Sequence, residues 1–217
     1  MLKLQGIAVS PGVTIGEALV LDTEGFRIPR RFVERSAVDT ELERLKQAVA
    51  ETAREIGRNR DAIRSELGDQ YSAIFDAHLA MLHDERLQGE LTSAVRDKNW
   101  WPEYAVSRTL RRYAKVFQNL DNHIAQRAHD IYDIEKSLLR NLLGQRRETL
   151  AAISQPVIVL AHNLTPSETA NLDRRFVKGF ATELGGPGSH TAIVAEGLEI
   201  PAVVGLGPFL ADVSGGE

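Results

Sequence analysis

The sequence predicts an α/β domain with an inserted all-α helical bundle. Segments of β character occur at both ends of the chain, within residues 1–22 and again from residue 155. Between them, over residues 36–144, apolar residues recur every three or four positions, which is typical of amphipathic helices. After residue 155, strand and helix patterns alternate, which is typical of α/β sheets.

Two strands are expected near the amino terminus. Ile7 and Val9 lead into the turn Ser10-Pro11-Gly12, and residues 13–21 follow as a loosely alternating strand. Because residues 1–22 are too few for an independent domain, we expect both strands to join the sheet of the C-terminal segments. The alternative is an arrangement of three separate pieces.

The central stretch predicts four or five antiparallel helices. The first is expected from Ser36 and ends at Gly68. Its apolar positions, from Val38 onward, alternate steps of four and three, with Asn59 at the one polar position. Further helices are expected after Gly68, after His83-Asp84 and from Pro102, which suits the first helical position. The last helix ends at Gly144.

The C-terminal segments predict an alternating order of strands and helices. Thr165 and Glu168 fit a capping box, so a helix is expected to start there. The expected elements are strand 156–161, a helix from residue 165, strand 176–181, a helix from 190 to 197 and strand 200–205. The α/β domain is therefore expected to comprise residues 1–35 and 145–217, incomplete at its C-terminus, with the helical subdomain at 36–144.

Composition excludes several classes of function. The 217 residues carry a net charge of -4, so we expect neither nucleic-acid nor membrane binding. The chain has no cysteine, which excludes disulfides and thiolate metal sites. Its first residues do not resemble a signal peptide, and no stretch approaches the roughly 20 apolar residues of a membrane span, so a cytoplasmic location is expected.

The strongest candidate for chemistry is His190, which stands where a glycine-rich loop enters a helix. Such junctions present free backbone N–H groups and the positive end of the helix dipole, which favour phosphate. A neutral imidazole has a nitrogen free to attack phosphorus, so we expect His190 to carry a phosphoryl group. The residues expected to contact that group are Gly185, Gly186, Gly188, Ser189 and Thr191.

Two other kinds of site are disfavoured. His78 and His83 lie five positions apart and do not share a helix face, so a metal site with Asp84 is not expected. Gly188-Ser189-His190 lacks the second glycine of a serine-hydrolase nucleophile elbow.

Five stretches together resemble enzyme I of the bacterial phosphoenolpyruvate–sugar phosphotransferase system, a phosphoenolpyruvate-protein phosphotransferase. The resemblance covers nearly the whole chain and follows the order of the family. The stretches are GIAVSPG at 6–12, IFDAHLAML at 74–82, DIYDI at 130–134 with LRNLLG at 139–144, LTPSETA at 164–170 and GGPGSHTAIVAEGLEIPAVVG at 185–205.

The resemblance implies a swivelling phosphohistidine α/β domain with an inserted helical subdomain. It implies that phosphoenolpyruvate phosphorylates His190 on Nε2, that Thr169 hydrogen-bonds this histidine, and that the phosphoryl group passes to a histidine of the carrier HPr. It places phosphoenolpyruvate and Mg²⁺ in a C-terminal barrel domain that this chain lacks, so no cofactor is expected here. The fragment is expected to be monomeric and the full-length protein a homodimer.

The resemblance also implies that the helical subdomain docks HPr. The expected surface is formed by Phe75, His78, Leu79, Met81, Leu82, Asp84, Glu85 and Arg127. Phe75, Leu79 and Leu82 equally fit an ordinary helical core.

Two departures from the family pattern mark this sequence. Pro187 and Gly188 stand where the family has a basic or polar residue followed by threonine, and Tyr132 replaces an arginine. The alternatives are a nitrogen-branch paralogue, a histidine domain of a dikinase or phosphoenolpyruvate synthase, and a docking module that binds HPr without turnover.

Overall fold

The computed structural model describes residues 3–21, 28–119, 128–144, 153, 155–210 and 213. These residues form two compact units. The α/β unit takes the described residues of Met1–Glu24, Ala62–Ser72 and Glu148–Glu217, and the helical unit takes those of Gly25–Asp61 and Ala73–Arg147. The domain boundaries expected from the sequence stay a prediction.

Among the described residues of the stretch that was predicted to be helical, the structure has five helices. They are α1 (Val38–Leu67), α2 (Asp69–Leu82), α3 (Glu85–Arg96), α4 (Pro102–Gln118) and α5 (Ala128–Leu142). Each starts or ends where the sequence signals indicate: Gly68 separates α1 from α2 with a φ of +100°, a conformation that favours glycine. Pro102 is the first residue of α4, where its missing N–H costs no hydrogen bond.

The long helix α1 buries the apolar positions that its spacing predicts. Leu45, Ile56 and Ile63 are buried, and Asn59 is buried at the polar position of the same series. A further buried residue on this face is Ala48, whereas its neighbour Val49 is only half-buried. The four-and-three spacing therefore identified the correct face of the helix.

Polar contacts join α1 to the later helices of the helical unit. Arg44 donates hydrogen bonds to Glu103 of α4 at 2.6 Å and to the carbonyl of Leu142 at the end of α5 at 2.9 Å. Arg140 of α5 pairs with Glu55 at 2.8 Å, and both side chains are largely shielded from solvent. Because these contacts are directional, they fix the relative register of α1, α4 and α5 within the apolar core.

A five-stranded sheet forms the α/β unit. The strands are β1 (Ile7–Ser10), β2 (Glu17–Leu21), β3 (Val157–Ala161), β4 (Val177–Thr182) and β5 (Ala202–Val204), in the order β1-β5-β4-β3-β2. Strands β2 to β5 run parallel, and β1 is antiparallel to β5. The N-terminal strands thus belong to the sheet, as predicted, and the arrangement of three separate pieces is wrong.

The second strand is shorter than predicted. It begins at Glu17 rather than at Val13, and the side chains of Val13 and Ile15 are 93% and 94% exposed. Apolar and polar residues alternate over residues 13–16, but the pairing of β2 with β3 begins only at Glu17. Because contacts across a strand pair stabilise a strand, residues 13–16 do not form one.

In the described part of this unit, two helices accompany the sheet, α6 (Pro166–Thr169) and α7 (His190–Gly197). The capping box predicted for α6 is present, with both reciprocal hydrogen bonds between Thr165 and Glu168. At the end of α7, a Cβ on Gly197 would lie 2.9 Å from Leu67 and 3.3 Å from Tyr71. This close approach explains why the end of α1 and the start of α2 belong to the α/β unit. Among the described residues, no helix has the length and apolar character to cross a membrane.

Candidate functional site

The candidate site lies where β4 gives way to α7. The chain leaves β4 at Thr182, passes through a glycine-rich loop and enters α7 at His190, its first residue. In open parallel sheets, ligands bind outside the carboxyl ends of the strands. The predicted site therefore occupies the edge of the sheet where such sites are built.

The loop glycines have two different roles. Gly185 has a φ of +118°, and a Cβ there would lie 3.0 Å from Val204, so this position requires glycine. Gly186 and Gly188 have no heavy atom within 4 Å of an added Cβ. They leave open space beside the start of α7, as expected for a loop that admits a ligand.

The Pro187-Gly188 pair lies in a tight turn. The backbone N–H of Ser189 donates to the carbonyl of Gly186 at 3.1 Å, which closes a four-residue turn. Proline is favoured at the second position of such turns, because its φ is already fixed near the required value. The unusual pair therefore shapes the loop through its backbone and supplies no threonine hydroxyl to it.

The two hydroxyls beside His190 differ in what they can offer a phosphate. The Ser189 hydroxyl oxygen caps α7 by accepting from the backbone N–H of Ala192 at 3.2 Å, and its own proton remains to be donated. The Thr191 side chain is buried and donates its proton to the carbonyl of Leu164. Ser189 therefore suits phosphate binding, whereas Thr191 positions the helix.

Backbone groups complete the anion-binding side of the junction. The first N–H groups of a helix have no partner within the helix, and the Ser189 side chain takes the one from Ala192. The backbone N–H groups of His190 and Thr191, the first two residues of α7, are therefore left to bind an anion.

Thr169, predicted to contact the active histidine, is fully buried at the end of α6, which packs against α7. Its hydroxyl donates to the carbonyl of Thr165 at 2.9 Å. Because that proton is used, the hydroxyl oxygen can act toward any other group only as an acceptor. The contact between Thr169 and His190 stays a prediction.

A histidine–carboxylate contact that the sequence did not predict lies at the same edge of the sheet. His162 directly follows β3 and Glu183 directly follows β4, and their Nδ1 and Oε2 atoms lie 2.6 Å apart. The backbone N–H groups of Phe209 and Leu210 donate to the other carboxylate oxygen at 2.7 and 2.9 Å. These contacts, His162 first, lower the pKa of Glu183 to about 2.

The strand register explains this pair. Ala161 lies opposite Thr182 in the parallel ladder, so the next residues along both strands, His162 and Glu183, come together. Correct register from the sequence alone would have identified the pair, but register is not visible in local patterns. Glu183 thus joins the ends of β3 and β4 through His162, and it joins the chain that follows β5 to the end of β4 through Phe209 and Leu210.

The predicted docking residues of the helical unit separate by burial. Asp84 and Glu85 are exposed, and Leu79 and Met81 are half-buried; Phe75, His78 and Leu82 are buried, and Arg127 lies outside the described residues. Asp84 also caps α3, because its carboxylate accepts from the N–H of Leu87 at 2.8 Å. The docking surface stays a prediction, and its accessible members in this structure are the exposed and half-buried residues.

His78 lies between two carboxylates inside the helical unit. Its Nε2 is 3.8 Å from Asp130 and its Nδ1 is 3.7 Å from Asp133, and all three side chains are at most 3% exposed. These distances are too long for hydrogen bonds, so neither carboxylate is a hydrogen-bond partner of His78. In the part of the chain that the structure describes, no three acidic or histidine side chains are arranged to hold a metal ion.

Two family models match the chain. The N-terminal model of PEP-utilising enzymes matches residues 5–127, and the mobile-domain model of PEP-utilising enzymes matches residues 153–217. Curated relatives named phosphoenolpyruvate-protein phosphotransferase include those of Priestia megaterium, 37% identical, and Geobacillus stearothermophilus, 39% identical. Both alignments cover 99% of this chain, which spans 37% of the length of each relative.

Solved structures agree in fold. A solution structure of enzyme I (nEIt) is 36% identical and superposes with a TM-score of 0.78, covering 99% of this chain and 87% of that one. A structure described as the N-terminal domain of Enzyme 1 – Nitrogen is 28% identical, with a TM-score of 0.68 and coverages of 94% and 83%. A helical subdomain joined to an α/β phosphohistidine domain is therefore the fold class of this chain, as predicted.

Proposed function

The chain belongs to the family of PEP-utilising enzymes, as the part that corresponds to the N-terminal region of enzyme I, and we propose that it carries a phosphoryl group on His190. In this role it receives the group that originates in phosphoenolpyruvate and passes it to a histidine of the carrier HPr. This is the first step of the sugar phosphotransferase system, and its place is the cytoplasm.

One observation carries the proposal: His190 is the first residue of α7, directly after an open loop at the carboxyl edge of a parallel sheet. Free N–H groups of the first helical turn can neutralise a phosphoryl group bound there. The Ser189 hydroxyl keeps its proton for the same purpose. Phosphoryl transfer requires mainly such positioning and charge stabilisation, with little covalent chemistry from the protein.

The role of Thr169 follows from its hydrogen bond to Thr165. Since its hydroxyl proton is committed to that carbonyl, Thr169 would accept a hydrogen bond from the N–H of the His190 imidazole. A proton held on Nδ1 leaves Nε2 with its lone pair. Thr169 thereby selects the tautomer in which Nε2 is the nucleophile.

The transfer itself exchanges one bond to phosphorus for another. The Nε2 lone pair of His190 forms a P–N bond while the bond between phosphorus and the donor breaks, and the electron pair of that bond returns to the donor atom. From phosphoenolpyruvate the broken bond is P–O; between His190 and HPr it is P–N in both directions. The phosphoenolpyruvate site, with its Mg²⁺, is assigned to the barrel domain of a full-length enzyme I.

The direct test uses HPr that carries phosphohistidine. The wild-type chain is mixed with it, and acid-labile phosphate on the chain is measured. We expect label on the wild type and none on His190→Ala. His162→Ala is the matched control, since it removes an exposed histidine from the same edge of the sheet and should keep the label.

Other outcomes separate the alternatives. Label on His190→Ala would contradict the assignment of the carrier residue. Binding of HPr without any label would favour a docking module, and absence of both would favour a dikinase-type domain. The chain is also similar to a nitrogen-type domain. In a second experiment, the phosphorylated carrier protein of the nitrogen branch replaces phosphorylated HPr. If the chain were labelled faster by that carrier than by HPr, it would belong to the nitrogen branch.

A further inference from the structure

A groove lined by positive charge runs between α3 and α4 of the helical unit and encloses about 820 Å³. Among the described residues that line it, Glu90 is the one carboxylate. Six cations line it: Arg86, Lys98, Arg108, Arg111, Arg112 and Lys115. This concentration contrasts with the net charge of -4 of the whole chain.

Four of these cations form one stripe on α4. Arg108, Arg111, Arg112 and Lys115 are spaced three and four residues apart, so neighbouring members repel each other. Like charges at this spacing destabilise a helix. The helix therefore carries a local cost that a bound anion would remove.

Anionic partners within the protein compensate only part of the stripe. Arg112 pairs with Glu90, and the Nε of Arg111 donates to Glu135 at 2.8 Å. Lys98, Arg108 and Lys115 form no ion pair among the residues that the structure describes. Their charges are available to a ligand.

We propose that this α3–α4 groove binds a small molecule that carries two or more linked phosphate groups. The volume lies within the range of small-molecule sites, and arginine is suited to phosphate because its planar guanidinium donates two parallel hydrogen bonds. Arg108 and Lys115 are seven residues apart, which corresponds to about 10 Å along the helix. A chain of phosphates can therefore contact cations at both ends of the stripe at once, whereas a single phosphate contacts only the cations on one turn of the helix.

Calorimetric titration with tripolyphosphate, with orthophosphate as reference, tests the proposal on the chain without HPr. We expect tripolyphosphate to bind at least tenfold more tightly than orthophosphate. The variant R108Q/K115Q should bind tripolyphosphate at least tenfold more weakly than the wild type. The control R54Q/R58Q removes the same charge from two cations of α1 that are each 66% exposed, and should bind like the wild type.

Three results would overturn the proposal. The first is no binding of tripolyphosphate, and the second is equal weakening in both double variants, which would indicate unspecific attraction. The third is binding of an eight-residue glutamate peptide but not of tripolyphosphate, which would assign the groove to an acidic protein segment. Circular dichroism checks that R108Q/K115Q is folded. The variant Arg108→Lys keeps the positive charge and should keep most of the affinity for tripolyphosphate, which tests the role of charge in a second variant. None of these results depends on phosphorylation of His190.

Discussion

The hydroxyl of Thr191 donates a hydrogen bond to the carbonyl oxygen of Leu164, across 27 residues of sequence. Both residues are buried. The bond joins the first turn of α7 to the segment that leads into α6. It therefore holds the helix that begins with His190 against the segment that supplies Thr169.

Thr191→Val should destabilise the chain by about 1–3 kcal/mol, because the isosteric side chain leaves the buried Leu164 carbonyl without its donor. Thr191→Ser keeps the donor and should stay closer to the wild type. Urea denaturation followed by circular dichroism measures both. Equal stability of the valine variant and the wild type would show that the bond has no net effect on folding.

Two loop glycines should respond differently to alanine. Gly185→Ala should cost about 1–3 kcal/mol, because its positive φ is strained for any side chain and the new Cβ meets Val204 at 3.0 Å. Gly186→Ala meets no atom within 4 Å and should leave the midpoint of urea denaturation unchanged. If Gly186→Ala were the more destabilising of the two, the loop conformation described above would be wrong.

The hydrogen bonds that Glu183 accepts from His162, Leu210 and Phe209 predict an acid dependence of stability. The pKa of Glu183 is lowered from 4.5 to about 2, so the carboxylate stabilises the folded state fully above pH 4.5. This contribution is lost as the pH falls from 4.5 through 2. The difference in unfolding free energy between the wild type and Glu183→Gln should therefore shrink over this range.

Urea denaturation at several pH values measures that difference. Glu196→Gln is the control, because Glu196 is exposed on α7. Its unfolding free energy should change with pH in the same way as that of the wild type. A difference for Glu183→Gln that stayed constant from pH 6 to pH 2 would contradict the charge-based explanation.

Asp84 allows the predicted docking role to be separated from its structural one. Asp84→Asn keeps a side-chain oxygen for the cap of α3 but removes the charge, whereas Asp84→Ala removes both and should cost about 0.5–2 kcal/mol of stability. If Asp84 contacts HPr through its charge, both variants should bind HPr more weakly. Only the alanine variant should unfold at a lower temperature than the wild type. Titration of HPr followed by NMR, together with thermal denaturation, distinguishes these effects.

His78 should behave as a core residue. Its replacement by alanine leaves a cavity beside two buried carboxylates, so we expect the free energy of unfolding to fall by about 3 kcal/mol or more. Thermal denaturation measures the loss. A stable His78→Ala variant with weakened HPr binding would instead indicate that the side chain becomes accessible when the partner docks.

Local sequence patterns were sufficient for most elements. The limits of α1, the capping box of α6 and the start of α4 all depend on residues within one or two helical turns of each other. The start of β2 was wrong by four residues, because strand ends depend on a neighbouring strand that is distant in sequence. Burial of Phe75 and Leu82 could not be decided, since apolar spacing marks a face without showing what covers it. His78 was expected on the docking surface and is buried in this structure.

The sequence by itself determined the order of strands and helices and placed His190 at the start of a helix behind a glycine-rich loop. Only the tertiary structure decided how the surrounding groups are used. It gave the Thr191 proton to Leu164, joined Glu183 to His162 and aligned the cations of α4 along a groove. The physical reason is distance along the chain: turns and helix caps are fixed by neighbouring residues, whereas these contacts depend on strand register and helix packing.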